Sequence, residues 1–210
     1  MVSSRNVINP ETLIQRLNDA GDRRAGLAER EATDLYRLVH GHGDQLPGLN
    51  IDWAAGMAVI WEMRTDQYDL AVIIDWLNAR YAPDSIVHKG VRFGQSGGQL
   101  LRGQVADEGH VVTEAGLRFL LEPLSAQNLG IFIDARPVRQ WLREHSHDRT
   151  VLNTFAYTGS LGVAARAGGA KGCGQVDLQA AQLERARRNH QLNDQRIDDR
   201  DIMKADCLRW

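Results

Sequence analysis

Residues 151–177 read VLNTFAYTGSLGVAARAGGAKGCGQVD. An apolar run over 151–155 meets a glycine-containing turn, a helical pattern over 160–167, and a second run over 172–177 that ends on a carboxylate. Strand, turn, helix and strand with short connections form the signature of a parallel α/β sheet. In open sheets of this kind ligands sit beyond the carboxyl ends of the strands. Gly159 allows a sharp backbone turn beside a ligand, and Gly162 allows the helix to approach closely. Asp177, 18 residues after Gly159, stands where a carboxylate accepts hydrogen bonds from ribose hydroxyls.

The turn over 153–162 carries Phe155 and Tyr157 where a G-x-G-x-x-G loop would place glycines, which leaves little backbone for a diphosphate. S-adenosylmethionine (SAM) has a ribose and an adenine but no phosphate, and its zwitterionic methionine end tolerates side chains in the loop. The spacing therefore favours SAM over NAD. The bland alternative is a plain α/β turn with a solvated Asp177.

Downstream, 180–192 reads as a helix and 202–205 as a third strand. Just upstream, 137–144 is a short helix with proline in its first turn. Before Pro123 the pattern is different. A helix over 11–33, weakened at Gly21 and Gly26, precedes a segment over 36–39, a turn-rich stretch over 40–48, and strands over 49–52 and 57–62 joined by a turn at 53–56. A helix over 67–81 stops at Pro83. A strand over 85–89, a glycine-rich loop over 94–98, and strands over 111–113 and 117–121 follow. The fold class expected is α/β: a small α+β domain over 1–126, then a partial Rossmann-like sheet over 127–210.

At 210 residues the chain is long enough for a buried core. No run of 18 apolar residues is present, so a membrane partner is not expected. The first residues lack the apolar stretch of a secretory signal. Two cysteines, Cys173 and Cys207, lie in no metal spacing and cannot form a disulfide scaffold, so a reducing cytoplasm is the expected location. Residues 1–126 carry 12 basic against 17 acidic side chains, and 127–210 carry 13 against 10. Of the 25 basic residues 22 are arginine, a planar donor suited to phosphates, yet a sequence pI near 6.4 is no footprint of an autonomous nucleic-acid binder. His40-Gly41-His42-Gly43-Asp44 lacks further ligands at metal spacing and reads as a turn, so no metal is expected. Cys207 beside Asp206 is a poor nucleophile, because a neighbouring anion raises a thiol pKa. Cys173 reads as a small strand filler.

Several separated motifs together resemble the class I SAM-dependent RNA methyltransferases, above all the group containing the large-subunit ribosomal RNA cytosine-5 enzymes. They are Asn153-x-Phe155-Ala156-Tyr157-Thr158-Gly159, Ala170-Lys171, Val176-Asp177, Ala186-x-x-Asn189, a segment from Gly43 to Asp52, and Gly130-Ile131-Phe132-Ile133-Asp134-x-Arg136. The resemblance implies SAM as cofactor and RNA, in particular rRNA, as partner. It implies that Phe132, Asp134 and Arg136 pack over the cofactor's methionine end and that Phe155, Tyr157, Thr158 and Gly159 form the cofactor loop. Asp177 would hold the ribose, with Leu178, Asp206 and Cys207 beside the adenine. Arg92 and Arg102, flanking the glycine-rich loop, are candidate RNA contacts.

Departures accompany the resemblance. Ala135 stands where many relatives have glutamine, and Pro137 where they have an acid. The family's Asn/Asp-Pro-Pro motif and attacking cysteine lie beyond Trp210. The chain is therefore expected to carry three of seven sheet strands, with no catalytic base or nucleophile, and not to methylate alone. It reads as a fragment, a truncated product, or a chain that completes its sheet with another copy. Two other readings stay open: a non-catalytic RNA-binding or assembly module on a degenerate cofactor fold, and half of an NAD-binding oxidoreductase.

Overall fold

The Asn9 side chain accepts a hydrogen bond from Glu11 N (2.8 Å) and, with Pro10 at the first helical position, opens α1 (Pro10–Arg23). Leu13, Leu17 and Ala20, at helical spacing, bury one face. The helix expected over 11–33 is two: Gly26, at φ +68°, separates α1 from the short α2 (Leu27–Arg30). A computed structural model of the protein describes residues 8–63, 67–90, 97–125 and 128–209. Strands β1 (Leu35–His40), β2 (Leu49–Ala54) and β3 (Met57–Glu62) precede α3 (Leu70–Tyr81), which Asp69 caps and Ala82 ends ahead of Pro83. After α3 come β4 (Ser85–Gly90) and β5 (Gln99–Arg102). The sheet order is β1-β2-β3-β4-β5, with β3 and β4 parallel across α3 and the other neighbours antiparallel.

Two expectations change here. Ala54 pairs with Met57, so the β2–β3 turn is only Ala55-Gly56, both at positive φ, and Trp53 and Ala54 stay in the ladder. Strand β5 escaped notice because its four residues, QLLR, sit partly exposed at the sheet edge and carry no alternation. Part of the expected glycine-rich loop, Gly94 to Ser96, lies outside the described residues. The His40–Asp44 turn is tied by the Asp44 carboxylate, which takes His40 N and the guanidinium groups of Arg23 and Arg24. The core joins α1 and α3 to the sheet through Leu13, Leu17, Leu38, Ile60, Ile73 and Leu77.

Strands β6 (His110–Glu114) and β7 (Leu117–Leu121) pair with each other. The chain divides into two compact units, Met1–Val112 with Glu122–Asn128 and Thr113–Leu121 with Leu129–Trp210. The boundary drawn at 126/127 from the sequence thus misplaces 113–121. That stretch joins the second unit because Glu114 pairs with Arg136 and Arg139, and Leu120 N donates to Asn189 Oδ1.

In the second unit a 3₁₀ turn (Ile133–Ala135) leads into α4 (Arg136–His145), followed by β8 (Thr150–Thr154), α5 (Ser160–Ala167), β9 (Gly172–Asp177), α6 (Ala180–Leu192) and β10 (Ile202–Lys204). The three strands are parallel in the order β10-β9-β8. Central β9 buries Cys173, Gln175 and Val176. Burial pushes the Cys173 thiol up to about 11. Strand β8 is not the continuous apolar strand expected over 151–155: it spans Thr150–Thr154 and buries only Asn153, Leu152 is 49 % exposed, and Phe155, at φ +58°, has already turned out of it.

A directed chain of hydrogen bonds crosses this unit. Asn153 Nδ2 donates to Gln175 Oε1 (2.8 Å) and Gln175 Nε2 to His190 Nε2 (2.9 Å). His190 Nδ1 then donates to Gln195 Oε1 (2.7 Å), and Gln195 Nε2 to Val163 O (2.9 Å). The donors fix His190 as the neutral Nδ1–H tautomer. Burial pushes its pKa down to about 4, whereas the unfolded chain takes up that proton near pH 6.5. The unfolded state therefore binds more protons between those values, and stability falls as pH falls from 6.5 towards 4, by on the order of 3 kcal/mol at most. Urea melts at pH 7 and pH 5 should show a loss on the order of 2 kcal/mol that His190→Asn removes. Identical midpoints at the two pH values would contradict this.

Candidate functional site

The carboxyl ends of β8, β9 and β10 are adjacent, and each carries a loop that the sequence singled out. After β8, Phe155, Tyr157 and Gly159 all adopt positive φ (58°, 50° and 72°). Two aromatic residues in the left-handed region are costly, and such strain concentrates at ligand sites. Gly159 is required twice over: its φ suits glycine, and a Cβ would meet Ala186 Cβ at 2.7 Å. Asp177 ends β9, and its carboxylate accepts Tyr157 N on Oδ2 (2.8 Å) and Gln179 N on Oδ1 (2.9 Å). One side chain thus fastens the β8 loop to the start of α6 and is itself held in place. Each oxygen keeps a second acceptor direction. Asp177 remains partly exposed.

Around this carboxylate, apolar side chains stand unusually open. Phe155 is 65 % and Leu178 60 % exposed. Past β10, Ala205 N donates to Asp177 O (3.2 Å), which sets Asp206 and Cys207 beside the end of β9. Both are half-buried, and Asp206 accepts Leu208 N (3.0 Å). Phe132, just ahead of the 3₁₀ turn, packs its ring on Tyr157, with centroids 5.3 Å apart. Thr158 is buried, donates its hydroxyl to Gly130 O, and has its carbonyl held by Asn189 Nδ2 (2.9 Å). Asp134 is exposed within the 3₁₀ turn. Arg136 gives its Nε to Glu114 (3.0 Å), a partner the sequence reading did not foresee.

These residues fit an adenosyl ligand. A pre-positioned carboxylate at a strand end suits a ribose diol, and open apolar side chains on the adjacent loop ends suit an adenine face. The crowded 155–159 loop lacks the run of glycines that a diphosphate needs. Among the described residues no group of His, Cys, Asp and Glu could hold a metal ion. Of the candidate RNA contacts, Arg92 lies outside the described residues, and Arg102 is exposed on β5 with Nη1 on Asn78 Oδ1.

A family model described as S-adenosylmethionine-dependent methyltransferase matches residues 36–206. The chain belongs to this family. Its curated relatives include the ribosomal RNA large subunit methyltransferase I of Erwinia tasmaniensis, 33% identical over 89% of this chain and 49% of that protein. Another is the ribosomal RNA large subunit methyltransferase of Deinococcus radiodurans, 32% identical over 85% of this chain and 46% of that protein. The crystal structure of SMU.776 complexed with SAH aligns at a TM-score of 0.81 and 26% identity, covering 92% of this chain and 51% of that one. The chain spans about half the length of the curated relatives it matches. SAM is the cofactor of this methyltransferase family, and the Rossmann-like strand–helix alternation from β8 onward is its fold.

The sequence reading missed Glu114 and Arg139. Both are buried, with Arg139 Nε and Nη2 each 2.7 Å from the Glu114 carboxylate. Against the cost of burial, the Arg139 and Arg136 guanidinium groups hold the Glu114 carboxyl below the usual carboxylate range. A signal was available. In VVTEAGLRFLL, Glu114 falls two residues after Val112 on the inward face of a hairpin, and a carboxylate there demands a buried cation.

Proposed function

We propose that this chain supplies the methyl-donor side of an rRNA methyltransferase. The observation that carries the reading is Asp177, fixed by two backbone amides at the carboxyl end of β9, beneath a loop with three consecutive alternate residues at positive φ. Asp177 holds the ribose hydroxyls, Leu178, Asp206 and Cys207 line the adenine, and Phe132, Asp134 and Arg136 with the 155–159 loop hold the methionine end. When bound, SAM supplies a methyl group on a sulfonium, transferred in line to a nucleophile. Catalysis of such a step is largely the positioning of donor against acceptor. No described residue at this site is fitted to take a proton from an acceptor base or to attack it. The acceptor side then comes from further polypeptide or from another copy that completes the sheet along β8, whose Leu152 is exposed.

The similarity to ribosomal RNA large subunit methyltransferases supports rRNA as the substrate, and an rRNA substrate implies a cytoplasmic protein. Arg102 is proposed as an RNA contact. Calorimetric titration tests the proposal: SAH should bind and NAD should not. With labelled SAM and unmodified rRNA the 210-residue chain alone should transfer no label in a single turnover. NAD binding without SAH binding would overturn the cofactor reading, and transferred label would overturn the division into donor and acceptor sides.

A further inference from the structure

The geometry points to Glu114 as a positioning residue that sets the methionine end of the cofactor site without touching the cofactor. The inference rests on the reading above, in which 132–136 lies over that end. Glu114 closes β6 and presents both carboxylate oxygens to the start of α4. Arg139 grips it side-on, Nε to Oε1 and Nη2 to Oε2, both 2.7 Å, and Arg136 Nε reaches Oε2 at 3.0 Å. A bidentate guanidinium–carboxylate pair fixes orientation as well as distance. The third arm of the Arg139 fork, Nη1, donates to Phe132 O (2.8 Å), and the guanidinium lies over the Phe119 ring, 5.9 Å from its centroid.

The segment between Gly130 and Arg136 is thus pinned at three places. Thr158 holds Gly130 O, Arg139 holds Phe132 O, and Glu114 holds Arg136. The Phe132 ring in turn bears on Tyr157 of the cofactor loop. The adenosine end shares only Tyr157 with this network: Asp177 takes the backbone amides of Tyr157 and Gln179 and makes no bond to Glu114 or Arg139. Loss of the Glu114 charge should therefore disturb one end of the ligand and spare the other.

Two ligands separate the ends. SAH carries the amino-acid tail, and 5′-methylthioadenosine has the same nucleoside and sulfur without it. In the full chain Glu114→Gln should weaken SAH by about tenfold and leave methylthioadenosine within about twofold of wild type. Glu114→Asp keeps the charge but is one methylene too short to span both arginines, and it should show the same one-sided loss. Equal losses for both ligands, or no loss for either, would overturn the proposal. So would failure of both variants to reach the wild-type circular dichroism spectrum, which would make Glu114 a folding residue. A wild-type chain that binds neither ligand would instead refute the cofactor reading itself.

Discussion

Replacing Asp177 with alanine should weaken SAH binding by roughly 100-fold while the protein still unfolds cooperatively. A hydrogen bond to a charged group contributes about 1.5–3 kcal/mol, and the ribose diol offers two donors to this carboxylate. Two such bonds less partial replacement by water leave about 3 kcal/mol, or roughly two decades in affinity. The side chain also accepts Tyr157 N and Gln179 N, so Asp177→Ala should cost about 1–2 kcal/mol of stability as well. Asparagine is no remedy, since its amide nitrogen would face one of those N–H donors. Calorimetry with SAH alongside a urea melt separates the two effects. Undiminished SAH affinity in Asp177→Ala would remove the carboxylate from the site.

The second large effect is on stability. Gly162→Ala should destabilise the protein by on the order of 3 kcal/mol, although alanine is the better helix former by about 1 kcal/mol. Gly162 lies in α5 against β9, where a Cβ would overlap Gln175 Nε2 and meet Cys173 Sγ at 3.0 Å. Gln175 has nowhere to go. It is fully buried, with Oε1 held by Asn153 and Nε2 on His190. Overpacking costs about 1–3 kcal/mol, and breaking a buried hydrogen bond adds about 1–3, so together they exceed the gain in helix propensity. A denaturant melt measures the difference. Wild-type stability in Gly162→Ala would show that α5 does not pack as described.

Periodicity and turn residues announced most of the second unit. The helix over 160–167 and the strand over 172–177 fall where the pattern placed them, because glycine and the charged flanks punctuate them sharply. The roles of Gly159 and Gly162 were legible for the same reason: each is a small residue inside an apolar pattern. What stayed hidden depends on contacts distant in sequence. Phe155 was read as the last residue of a strand, and only the folded loop shows it turned into the left-handed region. Thr158 and Arg136, which the resemblance sets at the cofactor's methionine end, also have protein partners, Gly130 and Glu114, that no local pattern announces. The polar chain from Asn153 to Gln195 joins β8, β9 and α6 with the residues beyond it, and no local pattern encodes that. The domain boundary erred for the same reason. The hairpin pattern calls for a cation beside Glu114, but nothing local to 113–121 places that cation on α4 or the partner of Leu120 on α6.

The central claim is that the Asp177 carboxylate grips the ribose of SAM, and a crystal structure of this chain grown with SAH tests it directly. Both ribose hydroxyls should lie about 2.7 Å from the Asp177 oxygens, with the amino-acid tail running towards Arg136. Clear density for SAH away from Asp177, or a ribose there held by other groups while Asp177 faces bulk water, would contradict it.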